Sequence, residues 1–297
     1  MARTGTPPRE KARVYHTGRP DRLSPLLFAV AALILCAGIG AVLWHEWQGT
    51  RPTAAEQAEA DEIERADSGE EEIAAVTEEA ADGKIVVAID PGHGGVNPSV
   101  GGEDAGSLGS GLREADVTLK TATLVYDKLA RDGRFAPMMT ANGTEYLKPS
   151  HRAARAKAAG AQLLLSIHLN YDADSRVSGF ECCPATPQLS TNADSLRFAR
   201  LVAEKFGAMG MELRGIDGVR YIYFDDNDNR YIRESNDTTV LSDPTFTVVQ
   251  KCGCPAVLVE EGFITNAGDV ALVATDAACE AAAQAYYECI LTYFDLT

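Results

Sequence analysis

The sequence predicts an α/β fold. It reads as a single domain with a largely parallel central sheet flanked by helices on both faces, preceded by a transmembrane helix and an acidic stalk. Three observations carry this expectation. From Lys84 to Thr297, short β-branched apolar runs alternate with longer segments of helical period, the order that builds a sheet covered by helices. The runs are apolar at successive positions, as strands buried on both faces are. Two of them hand over to histidine at their carboxyl ends, where open α/β sheets bind ligands.

Residues 1–22 hold six Lys/Arg against Glu10 and Asp21, and read as a basic cytoplasmic segment. Residues 23–44 carry no formal charge. At about 1.5 Å per residue they cover roughly 30 Å, enough to span a bilayer. Trp44 and Trp47 stand where an interfacial aromatic belt would be. The basic block precedes the span, so the amino terminus is expected in the cytoplasm and the rest outside the cell. A cleaved signal peptide is the alternative, but the apolar core exceeds the usual 7–15 residues or so. Cys36 reads as a span residue rather than a lipidation site, since the large Leu35 precedes it.

Residues 45–83 read as a stalk or linker. Within it, 54–82 carries twelve Asp/Glu against Arg65 alone and no aromatic residue. Such a segment is expected to be solvated and partly helical, with docking of a protein regulator as the alternative. Of the net charge of −16, about −9 remains on the bulk domain. Nucleic acid is therefore not an expected partner.

Residues 84–297 form the expected catalytic domain. Ile85–Asp90 is a buried strand, cut off by Pro91 and Gly92. Glu114–Asp132 repeats apolar residues at helical period. Phe135–Thr140 is a strand. Ser150 caps a helix over His151–Ala159 that stops at Gly160. Gln162–Ile167 and Gly179–Cys183 are strands, Ser190–Met209 a long helix, Val219–Phe224 a strand and Ala256–Val259 a buried strand. Asp269–Phe294 is mostly helix. Asp225–Asp243 reads as a polar loop near the site mouth. Its Asp/Asn cluster lacks the central Gly and terminal Glu of a calcium loop.

Chemistry-bearing residues collect at the ends of these elements. His93 follows the first strand, and His168 stands at the carboxyl end of the buried run in Leu163–Asn170. Glu114 opens the first long helix, where a carboxylate also suits the helix dipole. Two imidazoles and one carboxylate are a known catalytic zinc set that leaves a fourth position for water. Val257-Leu-Val-Glu260 delivers another carboxylate from a third buried strand. Each residue alone has a structural reading: a hydrogen-bonded strand-end histidine, a helix-start acid, a solvated Glu260–Glu261 pair.

Taken together, Asp90-Pro-Gly-His93-Gly-Gly, Arg113-Glu114, Ser166-Ile-His168-Leu-Asn170 and Val257-Leu-Val-Glu260-Glu-Gly-Phe-Ile-Thr-Asn266 resemble the zinc-dependent N-acetylmuramoyl-L-alanine amidases, the Amidase_3 family of cell-wall hydrolases. The resemblance covers about 214 residues. It implies that His93, Glu114 and His168 bind Zn2+, that Glu260 is the catalytic carboxylate, and that the substrate is peptidoglycan. The bond cut would join N-acetylmuramic acid to L-alanine of the stem peptide. Arg152 and Asn266 are candidate contacts to substrate or behind the ligands; a helix-surface charge and a turn residue are their alternatives. The alternatives for the whole are a zinc peptidase on wall peptides and a non-catalytic wall-binding protein on the same fold. Ala115 stands where the family often has Lys, Glu261 falls at a position the family leaves variable, and 215–243 matches no pattern of the family. Cys182-Cys183 and Cys252-Gly-Cys254 are readable as a disulfide or as buried thiols. Cys279 and Cys289 lie about 15 Å apart if one helix joins them, too far to pair.

Overall fold

Strands and helices alternate in the order that the hydrophobic runs predict. The structure is a computed structural model that describes residues 70–99 and 101–297. The expected basic segment 1–22, the span 23–44 and the first part of the stalk, 45–69, lie outside the described residues. Among the described residues no helix is long and apolar enough to cross a membrane.

Helix α1 (Glu70–Ala81) leads into β1 (Ile85–Pro91). Four two-residue strands follow: β2 (Val96–Asn97), β3 (Gly102–Glu103), β4 (Leu108–Gly109) and β5 (Leu112–Arg113). They pin the Gly-rich segment between His93 and Glu114 into two small antiparallel pairs, β2 with β3 and β4 with β5. Then come α2 (Glu114–Arg131), β6 (Phe135–Met139), α3 (Pro149–Ala158), β7 (Leu163–Asn170), β8 (Glu181–Pro184) and α4 (Asn192–Ala208). The chain closes with β9 (Arg220–Phe224), β10 (Arg230–Glu234), α5 (Thr247–Lys251), β11 (Ala256–Phe263), α6 (Ala267–Val273) and α7 (Asp276–Tyr293).

The central sheet runs β6-β1-β7-β11-β8. Its first four strands are parallel and β8 is antiparallel to β11. Period-two alternation sends side chains to two faces. Val87, Ile89, Leu165, Val257 and Val259 pack with residues of α2, α4 and α7. Val86, Ala88, Leu164, Ala256 and Leu258 pack with α3 and α5, and with Val76 of α1. The acidic segment therefore ends in a helix that is anchored by one buried apolar side chain.

Four local expectations change. The third helix starts at Pro149 with Lys148 at its cap, so Ser150 lies inside it; proline suits the first helical position. The carboxyl-terminal helix is two helices, because Thr275 accepts a bond from the Ala278 amide and starts α7 anew. The polar stretch after Phe224 contains β10, paired antiparallel with β9. Tyr223 and Tyr231 are directly opposed and stack at 5.4 Å, which holds this hairpin together. Cys182, Cys183, Cys252, Cys254, Cys279 and Cys289 are all free and buried, so the disulfide reading gives way to plain core thiols.

Candidate active site

The sheet register assembles the site. Glu260 of β11 pairs with His168 of β7 on one side and with Glu181 of β8 on the other. Paired residues share a face, so His168, Glu260 and Glu181 form one row across the sheet. Gly92 continues that row beyond β1. A Cβ at Gly92 would lie 2.5 Å from His168 Nδ1, so only glycine leaves the imidazole its place.

His93 follows in a left-handed backbone conformation, φ 65°, which is uncommon outside glycine and is held only where surroundings enforce it. Arg152 provides that enforcement. Its guanidinium donates to the Pro91 and His93 carbonyls, the latter at 2.6 Å, and to Leu147 O at 2.9 Å. It also pairs with Asp90 at 3.1 Å, and both side chains are buried. Asp90 in turn accepts from Ser166 and Thr140. Arg152, expected as a substrate contact or a group behind the ligands, thus props the turn that presents His93.

Glu114, at the first position of α2, faces both imidazoles. Its Oε1 lies 3.0 Å from His168 Nδ1 and its Oε2 lies 3.4 Å from His93 Nε2. The Ser107 and Leu169 amides donate to the same carboxylate at 2.8 Å and 3.0 Å. Burial opposes the Glu114 charge, but bonds from His168 and His93 overcome it and hold the carboxyl well below the usual range. Burial likewise pulls His93 down, yet Glu114 and then Asp104 raise it to about 9.

One ligand atom from each of His93, Glu114 and His168 lies within 4.8 Å of the others. A divalent ion is a natural occupant of such a set: two imidazole nitrogens and a buried carboxylate converge on one point beside an open cavity. Asp104 strengthens this fit. Its Oδ1 lies 2.7 Å from His93 Nδ1, which leaves Nε2 for a ligand role, the usual arrangement behind metal-bound histidine. Sequence reading missed Asp104, because it stands in a Gly-rich loop with no strand end to mark it. Gly106 shows how closely the loop approaches: a Cβ there would lie 2.6 Å from His93 and 2.7 Å from Glu114.

These groups line a cavity of about 670 Å³. Glu260 also lines it, 9% exposed, with Oε2 free of any hydrogen-bond partner. Burial pushes the Glu260 carboxyl well above its ordinary value, and the nearby Glu114 and Glu181 push it further. Glu261 points to the opposite face, where it is buried and accepts a bond from Tyr286 Oη at 2.9 Å. Asn266 is not among the cavity-lining residues. It caps α6, accepting from the Gly268 and Asp269 amides.

A family model described as N-acetylmuramoyl-L-alanine amidase matches residues 87–292. The chain belongs to this family. The chain is 30% identical over 207 residues to the N-acetylmuramoyl-L-alanine amidase LytC of Bacillus subtilis, a match covering 69% of this chain and 35% of LytC. It is 28% identical over 236 residues to the amidase AmiA of Escherichia coli, covering 71% of this chain and 77% of AmiA. Among solved structures, the catalytic domain of the amidase CwlV from Bacillus (Paenibacillus) polymyxa superposes with a TM-score of 0.56 at 26% identity, covering 72% of this chain and 99% of that domain. This likeness spans most of the residues that form the sheet described above. The β9–β10 hairpin and the segment after it form one wall of this member's cavity.

Proposed function

We propose that the protein is a zinc-dependent peptidoglycan amidase that hydrolyses the amide between N-acetylmuramic acid and L-alanine of the stem peptide. One observation carries the reading: the convergence of His93, Glu114 and His168 on one point, with Glu260 in the adjoining register position. Family membership supports the substrate class.

His93, through Nε2, with Glu114 and His168 would hold the ion. When bound, zinc supplies Lewis acidity toward the amide carbonyl and toward water. The remaining work falls to the chain. Asp104 keeps His93 in the tautomer that offers Nε2. Arg152 and Thr118 hold the turn that carries His93, Thr118 by a bond to the Gly92 carbonyl. Glu260 lines the cavity with Oε2 free of any hydrogen-bond partner, which places it to carry a proton. It takes a proton from water as the water oxygen bonds to the carbonyl carbon. It returns that proton to the alanine nitrogen as the C–N bond breaks. Product is a free amine on the peptide and a carboxylate on the lactyl group.

The reading extends to place. The uncharged run 23–44 after a basic block supports a single-pass anchor with the amino terminus in the cytoplasm and the catalytic domain outside, where peptidoglycan lies. The acidic segment 45–83 would then be the tether, and a surface for a protein regulator.

Replacing Glu260 with Gln tests the assigned role. The variant keeps its zinc and loses at least about 100-fold in hydrolysis, since general acid–base groups contribute roughly 10²–10⁴. Metal content by elemental analysis and release of new amino groups from sacculi are the two measurements. Full activity in Glu260→Gln would remove the carboxylate from the mechanism.

A further inference from the structure

Beyond Glu260 in the sheet row, on the side away from His168, stands a buried acid. Glu181 is 1% exposed and sits next to Glu260 in the sheet row. Its Oε1 accepts from Asn170 at 2.8 Å, and its Oε2 from Arg220 at 3.1 Å. Arg214 lies 3.7 Å away and Arg230 lies 3.7 Å away. Three guanidiniums therefore surround one carboxylate. Glu234 approaches Arg220 at 3.5 Å, and Glu260, next to Glu181 in the row, also lies within charge range of Arg230.

The guanidinium with the most donors unengaged is that of Arg230. Arg214 donates to the Ser178 carbonyl and lies over the Phe263 ring. Arg220 is engaged by Glu181 and Glu234. Arg230 has the 3.7 Å ion pair with Glu181, too long for a hydrogen bond, and the nearby Glu260 carboxyl. It lies 39% exposed and lines the cavity with Glu260, His93 and His168. The other cavity arginine, Arg152, is buried and bonded to three carbonyls and Asp90. Asp228 of the same hairpin also lines the cavity, but no ion pair joins it to Arg230. A fork of unused N–H donors, oriented from behind by a buried carboxylate, matches a carboxylate ligand.

We propose that Arg230 is a specificity determinant that receives a free carboxylate of the stem peptide, on the amine side of the cleaved bond. The proposal rests on the amidase reading above. A stem peptide bearing D-glutamate at its second position offers such a carboxylate one residue beyond the alanine nitrogen, roughly 4–7 Å along the chain. The same peptide with D-isoglutamine offers a neutral amide. Arg230 separates the two by charge, and Glu181 acts as the residue that positions it.

The test compares kcat/KM of the zinc-loaded full chain on disaccharide tetrapeptides that carry D-glutamate or D-isoglutamine. Wild type favours the acid by about ten-fold or more, the range of hydrogen bonds to charged groups. In Arg230→Gln that ratio falls toward one while bound zinc is retained, and Arg230→Lys keeps part of the preference. Equal rates in the wild type, or an unchanged ratio in Arg230→Gln, would overturn the proposal and leave the amidase reading standing. Cleavage of neither tetrapeptide, with sacculi also untouched, would overturn both.

Discussion

Asp104 decides which nitrogen of His93 faces Glu114, and it does so from a loop held by two-residue strands. Replacing it with Ala frees the imidazole to rotate and to change tautomer. Zinc affinity is expected to fall about 10–100-fold, as for other groups behind metal ligands, measured by competition with a chromophoric chelator. Affinity unchanged from wild type would show that the ring is fixed by packing alone. Glu261 gives a second test. Burial pushes its carboxyl up to about 8, against the pull of the Tyr286 hydroxyl. An unfolded glutamate titrates near 4.3. Between those values the folded state holds a proton that the unfolded state has lost, so stability falls as pH rises from about 4.5 to about 8. Glu261→Gln removes that slope, and the variant gains on the wild type as pH climbs through this window. Parallel denaturation midpoints for the two proteins across pH 5–8 would contradict the assigned burial effect. At this scale the sequence was informative wherever a residue ended a strand, as with His93, His168 and Glu260. It was silent on partners brought from afar: Asp104 behind His93, and Asp90 beneath Arg152, are recognisable only once the chain is folded.

Helix and strand boundaries followed local signals where those signals were strong. Apolar runs located β1, β7 and β11, and helical period located α2 and α4. Strand β9 was located by its alternation, but β10 escaped notice because Arg230-Tyr-Ile-Arg-Glu234 carries three charges in five residues, which reads as loop. The hairpin's stability lies in Tyr223 stacked on Tyr231 and in Asp225, whose carboxylate accepts from the Asn227 and Asn229 amides to close the turn. That same self-satisfaction explains the Asp/Asn content of the turn. The break between α6 and α7 was readable in Thr275, an N-cap residue type, but the continuous alanine content on either side masked it. Thr275→Ala should destabilise the protein by about 1 kcal/mol, the usual contribution of such a cap. Chemical denaturation measures this; no change in midpoint would mean that Thr275 does not set the start of α7.

Across the whole molecule, a parallel sheet places the carboxyl ends of β1, β7 and β11 side by side, and the first turn of α2 closes over them. That geometry explains how residues from position 93 to position 260 meet at one cavity, and why each segment looked ordinary alone. The fold class was legible because parallel strands buried on both faces leave an unmistakable apolar pattern. Strand β10 of the cavity wall was not, because the polar residues of a small exposed strand resemble irregular chain. Hydrolysis itself provides the most direct test of the central claim. Sacculi are incubated with the zinc-loaded protein, with the chelator-stripped protein and with the stripped protein after zinc is restored, and the products are identified by mass spectrometry. The account predicts free stem peptides beginning with L-alanine and intact glycan strands, lost on chelation and regained with zinc. Undiminished cleavage in the chelated sample, or bonds broken within the peptide or the glycan instead, would contradict it.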